Sequence, residues 1–270
     1  MGKKRTIFKI ILLVMMVILL GACENKNKDL PETEEVKENQ SETEEVKENQ
    51  SETESETISE AKTDREILLD MVRELKENGA SLNENLDNEN LYTWDDEDRL
   101  IEIHWKGSLN EVKSLKMEKL TALKTLECSR SLRLEELDVS NLESLEELKC
   151  YTNKKLKTLN VSNCKSLKRL VCKHNYLEEL DVTQNKELKV LYCTNNWLRS
   201  LDVSGNRALK YLGCAKNQLE SLDVSGAKNL EFLDCHHNYI KELDLRNNYA
   251  GIIVSADKGV KVLKKKKKHK

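Results

Sequence analysis

Aromatic residues and proline are scarce in this sequence. Aromatics make up 4% of the 270 residues and there is one proline, whereas charged residues make up 34%. Leucine recurs regularly through the second half of the chain instead of clustering. This distribution indicates a thin core built from repeated units rather than a single compact globule.

The sequence also lacks the short motifs that mark common catalytic sites. A GxSxG turn, an HExxH motif and a glycine-rich phosphate loop are all missing, and no pattern places a nucleophile beside a base. A net charge of −3 gives no overall basic field of the kind that nucleic-acid binding requires. We therefore predict no enzyme, no cofactor and no nucleic-acid partner.

The most apolar run, Ile10–Leu20, is too short to cross a membrane as a helix. It has eleven residues, whereas a span needs about 20. Basic residues at 3–5 precede it and Leu20-Gly21-Ala22-Cys23 follows it, which resembles the signal peptide and lipobox of bacterial lipoproteins. The resemblance implies that residues 1–22 are removed and that Cys23 carries a lipid, which makes the protein extracytoplasmic. An ordinary signal peptide and an uncleaved anchor are the alternatives.

Residues 23–62 form a polar, acidic segment. Glu24–Lys62 contains 14 Asp and Glu against 5 Lys, and EEVKENQSET occurs in tandem at Glu34–Thr43 and Glu44–Thr53. Such a segment cannot bury enough apolar surface to offset the entropy of ordering. We predict a disordered N-terminal tether, with a charged helix as the alternative.

Order is expected to begin at Thr63. Thr63 and Glu66 have capping-box spacing, and Asn78-Gly79 is a typical helix end. Between them one helical face is apolar, and it consists of Ile67, Leu68, Met71, Val72 and Leu75. A short strand pattern follows at Leu100–Trp105. We interpret residues 63–107 as a helical N-terminal cap for the repeats that follow.

A repeat of 21 or 22 residues dominates residues 108–250. Six copies of LxxLxCxxNxLxxLDVS run from about Leu123 to Ala250, and the first two carry one extra residue. Positions 4 and 6 face inward from a strand, and the asparagine at position 9 can pair buried backbone groups. The pattern predicts an α/β-type leucine-rich-repeat solenoid with short parallel β-strands on its concave face and a mostly irregular convex side. Residues 251–263 read as a C-terminal cap and 264–270 as a basic tail.

This repeat resembles the internalin-like bacterial leucine-rich repeats, in their cysteine-bearing, internalin J-like branch. The resemblance covers roughly half the chain and implies a curved solenoid with a cysteine ladder and a role in adhesion or recognition. Its ladder residues are Cys128, Cys150, Cys172, Cys193, Cys214 and Cys235, with Asn153, Asn175, Asn196, Asn217 and Asn238 at the turn. Three residues depart from the family: Cys23 stands in for a cell-wall sorting signal, Ser131 for an asparagine and Asn160 for an aspartate.

The eight cysteines allow two other interpretations, disulfides and a metal site. Side chains stacked in register do not readily adopt the near-perpendicular disulfide torsion. Cys172 with His174, and Cys235 with His236 and His237, suggest a metal, but strand alternation turns Cys235 inward and His236 outward. We therefore predict inert, buried thiols and no metal. Cys164 lies in a turn and is interpreted as a tolerated turn residue or an exposed free thiol.

Outward side chains of the concave sheet form the candidate binding surface. Tyr192, Tyr211 and Phe232 fall on adjacent strands and predict an exposed aromatic patch. Aromatics that only stiffen the sheet are the alternative. The candidate concave residues are Tyr151, Arg169, Lys173, Tyr192, Tyr211, Phe232, Asp234 and His236; Val171 and Ala215 share their outward positions; and Tyr176, Trp197 and Tyr239 add edge aromatics at position 10.

Taken together, these features predict a monomeric lipoprotein, held at the membrane by Cys23, on the cell surface. Its solenoid is expected to bind a protein or glycan through the concave face. A structural spacer or envelope assembly component without a selective ligand is the alternative. The lysine tail is expected to be solvated, and contact with anionic polymers or lipid headgroups is its alternative role.

Overall fold

The computed structural model describes residues 61–265. The predicted signal peptide, Cys23 and nearly all of the tether lie outside these residues, as do residues 266–270 of the tail. Helix α1 spans Asp64–Glu77, and its capping box forms as predicted: the Thr63 hydroxyl accepts the Glu66 N–H, and the Glu66 carboxylate accepts the Thr63 N–H. Leu68, Val72 and Leu75 bury one face of the helix against the first coil. In this part of the chain no helix is both long and apolar enough to cross a membrane.

Short strands follow the helix. They are β1 (Tyr92–Trp94), β2 (Leu100–His104), β3 (Ser114–Lys116), β4 (Thr125–Glu127), β5 (Glu136–Asp138), β6 (Glu147–Lys149), β7 (Thr158–Asn160), β8 (Arg169–Val171), β9 (Val190–Tyr192), β10 (Tyr211–Gly213), β11 (Phe232–Asp234), β12 (Glu242–Asp244), β13 (Ile253–Ser255) and β14 (Lys261–Leu263).

Nine strands form the main sheet, in the order β1-β2-β4-β6-β8-β9-β10-β11-β13. Strand β1 pairs with β2 in antiparallel fashion, and every later pair is parallel and in register. Each parallel strand belongs to one coil, so the molecule is a parallel β-solenoid and the predicted fold class is confirmed. The strand predicted within the cap, β2, is the first of these coils, because Ile103 pairs with Leu126.

Two kinds of coil make up the solenoid. The front coils (residues 100–166) have 22 or 23 residues, and the rear coils (residues 167–250) have 21. The extra residue lies just after position 9, where Asn153 and Leu156 are separated by two residues but Asn175 and Leu177 by one. In the front coils a second parallel sheet, β3-β5-β7, forms beyond this point. The rear coils carry no strand there until β12, which pairs with β14.

Leucine and cysteine fill the inside of each coil. The central residue of each strand is buried, as in Leu170, Leu191 and Leu212, which pair across β8, β9 and β10. Each buried leucine contributes about 1.5–3 kcal/mol relative to exposure. The following cysteine is buried two residues later, because side chains alternate along a strand.

The asparagines at position 9 join successive coils. The Asn196 side-chain amide donates to the carbonyls of Cys172 (3.0 Å) and Cys193 (2.9 Å), and its oxygen accepts the Leu177 N–H at 3.0 Å. One side chain therefore pairs three buried backbone groups that no strand reaches. Ser131 holds this position in the first repeat, and its buried hydroxyl has no partner among the described residues.

The departure at Asn160 leaves the local geometry intact. The Asp138 carboxylate accepts the Ser140 N–H at 2.8 Å, and the Asn160 side-chain oxygen accepts the Ser162 N–H at 3.1 Å. Either side chain supplies the acceptor that this turn needs.

Candidate functional site

The ladder cysteines are buried, unpaired thiols. Cys128, Cys193 and Cys235 lie inside the solenoid, and no disulfide joins the cysteines of residues 61–265. Burial raises the pKa of each of these three thiols to about 12. They are therefore protonated and unreactive at neutral pH. Within the same residues, no group of three or more histidine, cysteine or acidic side chains is placed to hold a metal ion.

Cys164 is buried, so the alternative of an exposed thiol is wrong. Its Sγ–H donates to the Val139 carbonyl at 3.1 Å. The next coils place Asn185 and Asn206 in the same location. The Asn185 amide donates to the Val161 and Cys164 carbonyls, both at 3.0 Å. The cysteine thus occupies one rung of a second, asparagine-based ladder.

This second ladder was missed in the sequence, although the sequence carries its signal. Asn185, Asn206 and Asn248 recur at intervals of 21 and 42 residues, and Ala227 fills the gap between the last two. All three asparagines are buried and donate to two backbone carbonyls each.

Two parallel rows of side chains project from the outer surface of the main sheet, the predicted concave face. One row runs through Glu147, Arg169, Val190, Tyr211, Phe232 and Ile253, and the other through Lys149, Val171, Tyr192, Gly213, Asp234 and Ser255. Strand spacing is about 4.8 Å, so Tyr211 and Phe232 are direct neighbours. Tyr192 belongs to the other row. We call Tyr192, Tyr211 and Phe232 the sheet patch.

The Tyr192 ring lies over the backbone of Gly213. A Cβ atom on Gly213 would be 2.8 Å from Cδ1 of this ring, so only glycine leaves room for it. The Arg169 guanidinium sits 5.7 Å from the ring centre on the opposite side. Burial raises the pKa of the Tyr192 hydroxyl. Tyr192 is therefore held in place by contacts from the neighbouring strands.

Two small residues at outward positions of this face are not accessible. Val171 is 6% exposed and Ala215 is 0% exposed, although both occupy outward positions. Their side chains are short, and Val171 pairs with the larger Tyr192 on the adjacent strand. The accessible face is therefore narrower than alternation alone indicates.

Polar contacts surround the rest of the patch. The Tyr211 hydroxyl donates to the Glu231 carboxylate at 3.1 Å. The Asp234 carboxylate contacts the His236 imidazole in the same coil. Phe232 lies between these groups, half-buried and facing outward. The rings thus form a small apolar surface with a hydrogen-bonding margin, an arrangement typical of recognition sites.

On the front part of the same face, charged and polar side chains pair with one another. Glu147 forms ion pairs with Lys149 and Arg169, both at 2.8 Å. The Tyr151 hydroxyl donates to the Glu127 carboxylate at 3.2 Å, and the Lys173 ammonium lies 5.9 Å from the Tyr151 ring centre. Tyr151 and Lys173 are thus brought together, whereas Arg169 pairs with Glu147 and lies over the Tyr192 ring of the sheet patch.

The edge aromatics are more exposed than the sheet patch. Tyr176, Trp197 and Tyr239 are 42%, 48% and 65% exposed. Tyr176 and Trp197 stack with ring centres 5.0 Å apart. The backbone N–H of Trp197 donates to the backbone carbonyl of Leu177 one coil earlier, which keeps the two residues side by side. Leu132 occupies the same position in the first repeat and is also exposed.

Solved structures share this fold. The functional domain of InlJ from Listeria monocytogenes, which includes a cysteine ladder, is 27% identical over 58% of this chain and 46% of its own, with a TM-score of 0.44. An internalin (inlF) from the same organism is 19% identical over 58% of this chain and 50% of its own, with a TM-score of 0.46. YopM from Yersinia enterocolitica is 23% identical over 66% of this chain and 39% of its own, with a TM-score of 0.50.

The chain spans half or less of the length of these three proteins. Of the three, YopM has the highest TM-score, and this likeness concerns the fold alone. No protein-family model matches the sequence, and the search of curated proteins gave no match.

Proposed function

We propose that this protein is a recognition scaffold whose sheet patch binds a partner protein. One observation carries the proposal: Tyr211 and Phe232 stand side by side on paired strands, facing outward, while Tyr192 is fixed against Gly213. Tyrosine and other large aromatics dominate the energetics of protein interfaces. A side chain that is immobile before binding loses less entropy when a ligand docks.

The division of the face supports a selective site over a uniform spacer. Along the front strands the charges are already paired within the protein, so they offer a ligand little. Along the rear strands the outward residues Val190, Tyr211 and Phe232 are apolar or aromatic. A spacer needs no such concentration of rings on one part of its surface.

The proposal includes a lipid anchor and an extracytoplasmic location. Its support is the order of basic, apolar and small residues that ends at Cys23. Two acyl chains hold a protein stably at a membrane. The acidic segment that follows then carries the solenoid away from the lipid surface. In this role the protein works as a monomer and catalyses no reaction.

The binding proposal is tested with the full-length protein in mild detergent. Partners captured from envelope and host-surface extracts are identified and purified, and their affinity is then measured by calorimetry. We expect Tyr211→Ser/Phe232→Ser to weaken binding by about tenfold or more, since hot-spot truncation costs about 2 kcal/mol or more. The matched control, Tyr176→Ser/Tyr239→Ser, removes two rings from the edge.

Three results separate the possibilities. Loss in the sheet variant alone, with an unchanged circular dichroism spectrum, supports the proposal. Equal loss in both variants, or in the edge variant alone, moves the site away from the main sheet. An absence of any purified partner with measurable affinity favours the spacer.

The anchor has its own test. Cys23→Ser removes the acceptor of the lipid and leaves the repeats untouched. We expect the variant to leave the detergent-rich phase and to appear in the aqueous phase of a phase-separation assay. Retention in the detergent phase would favour an uncleaved N-terminal anchor.

A further inference from the structure

Positions 7–10 of every repeat lack acidic residues. They read SRSL, YTNK, KHNY, TNNW, AKNQ and HHNY, beginning at residues 129, 151, 173, 194, 215 and 236. Since the chain contains 48 Asp and Glu in 270 residues, about four would be expected among these 24. We call the exposed residues of these positions the rim strip. It follows the main-sheet strands and extends along the solenoid, one short segment from each coil.

The rim strip carries an exposed cation in four of its six coils. Arg130, Lys154, Lys173 and Lys216 are exposed, and none has an ion-pair partner within residues 61–265. Burial and then the positive charges of Lys173 and Lys216 lower the pKa of His174. A molecule with a net charge of −3 thus carries one stripe of positive charge.

Exposed apolar side chains accompany these cations. Seven large hydrophobic side chains are exposed in the described part of the chain, and four of them lie at position 10: Leu132, Tyr176, Trp197 and Tyr239. Asn195 and His174 join neighbouring coils through a 3.1 Å side-chain contact. Each coil therefore adds at least one cation, amide or ring to the strip, at the coil spacing of about 4.8 Å.

We infer that the rim strip binds an anionic polysaccharide that lies along the solenoid axis. The strip repeats with each coil, so the ligand it fits is itself a linear, repeating chain. The cations pair with carboxylate groups, the exposed rings pack against sugar rings, and the amides of Asn195 and Gln218 accept and donate hydrogen bonds to hydroxyls. This site is separate from the sheet patch and does not depend on the proposed protein ligand.

Charge density favours a polysaccharide over a nucleic acid. Carboxylates border the strip on both sides: Glu178, Glu179 and Glu220 follow position 10, and Asp234 precedes position 7. At the last coil Asp257 bonds the His237 backbone and ends the strip. A nucleic acid carries a phosphate at every nucleotide, and such a border repels it. A glycan with a charge on alternate sugars needs only the narrow central row of cations.

The test uses the full-length protein and defined polymers. Hyaluronan oligosaccharides, with one carboxylate per two sugars, and polygalacturonate oligosaccharides are compared with neutral dextran and with oligo-dT. Affinity is measured by calorimetry at low and high salt. Lys173→Glu/Lys216→Glu reverses two charges in the strip. Lys189→Glu/Lys228→Glu reverses two exposed charges outside it and gives the same change in net charge.

We expect at least one anionic glycan to bind, dextran not to bind, and added salt to weaken binding because exposed charges are screened. The strip variant should lose about tenfold or more in affinity, while the control loses little. Tyr176→Ser/Trp197→Ser should also weaken glycan binding, while Tyr211→Ser/Phe232→Ser should leave it unchanged. This last pair of results separates the strip from the sheet patch.

Any one of three outcomes overturns the inference. The first is that neither glycan binds, and the second is that both charge-reversal variants lose affinity equally. The third is that oligo-dT binds as tightly as the glycans and the ring variant has no effect. The last two describe a general attraction of polyanions rather than a site.

Discussion

The front and rear coils close the same core in two different ways. In the front coils one extra residue after position 9 is accompanied by a second parallel sheet, β3-β5-β7, in which backbone bonds to backbone. In the rear coils that sheet is absent up to β12, and buried amides such as Asn185 and Asn206 join the coils instead. A side-chain amide can replace strand pairing because it offers the same donor.

The outer faces of the two regions differ in a related way. On the front coils, outward side chains are charged and paired with one another, as Glu147 is with Lys149. Rear-coil side chains are aromatic and include Tyr192, which needs a glycine beneath it. The scaffold therefore tolerates different outer residues as long as the inward leucines keep their register.

The largest predicted effect, a loss of stability at alkaline pH, is expected in the front and rear coils alike. Unfolded thiols lose their protons near pH 8.5, while burial raises the pKa of Cys128 and Cys193 to about 12. Between these values the folded chain binds more protons, so the free energy of unfolding falls as pH rises. Each thiol contributes about 1.4 kcal/mol per pH unit, and seven are buried. The three thiols whose pKa rises to about 12, Cys128, Cys193 and Cys235, alone predict a loss of about 4 kcal/mol per pH unit above pH 9.5.

Urea titrations at pH 7.5, 9.5 and 10.5 measure this loss. Cys128→Val in the front coils and Cys193→Val in the rear coils should each remove one thiol's share of the slope, about 1.4 kcal/mol per pH unit. A slope that is unchanged in both variants would show that other groups cause the alkaline loss.

Position 9 offers the sharpest contrast between the two regions. Asn196→Ala leaves the Leu177 N–H unpaired and removes one of the two side-chain hydrogen bonds to each of the Cys172 and Cys193 carbonyls, which keep the amides of Asn175 and Asn217. The unpaired N–H costs about 1–3 kcal/mol and each lost hydrogen bond about 1 kcal/mol, so we expect a loss of about 4 kcal/mol. Ser131→Ala removes a buried hydroxyl that has no partner and should be neutral or stabilising by about 1 kcal/mol. Equal losses in denaturant unfolding would mean that Ser131 is paired in solution.

Substitution by asparagine should change the stability in opposite directions at Cys172 and at Cys164. Cys172→Asn buries an amide on the inner ladder, where no partner is free, and should cost about 2–3 kcal/mol. Cys164→Asn gives the second ladder the side chain that Asn185 has, with the carbonyls of Val139 and Leu142 as acceptors. It should be neutral or stabilising by about 1 kcal/mol. A thermal unfolding midpoint that drops in Cys164→Asn as far as in Cys172→Asn would contradict the shared role.

The smallest effect concerns the fixed ring of the rear face. Gly213→Ala places a methyl group against Tyr192 and should cost about 1–2 kcal/mol as the ring shifts. Gly205→Ala is the control, because its Cβ comes close to the flexible end of Lys186 at 2.6 Å and makes only ordinary contact with the Thr183 carbonyl oxygen at 3.4 Å. It should cost less than about 0.5 kcal/mol. Binding of the protein partner should weaken in Gly213→Ala alone.

Much of the scaffold was predictable because its signals are local or periodic. The capping box at Thr63 depends on residues three positions apart, and the inward leucines and cysteines repeat with the coil. The second asparagine ladder was equally periodic and was missed because the repeat was written without position 19. The exposed-thiol alternative for Cys164 was wrong because a turn in a solenoid is not always at its surface.

By itself the sequence determined the period, the inward residues and the position 9 asparagines, because each follows from the alternation of a strand or from the closure of a turn. Tertiary structure alone decided which outward residues stay accessible. Val171 is covered and Trp197 is exposed, and neither follows from alternation, because exposure depends on the size of side chains contributed by neighbouring coils. The placement of Tyr192 over Gly213 was decided in the same way, since it joins residues 21 positions apart that only strand pairing brings together.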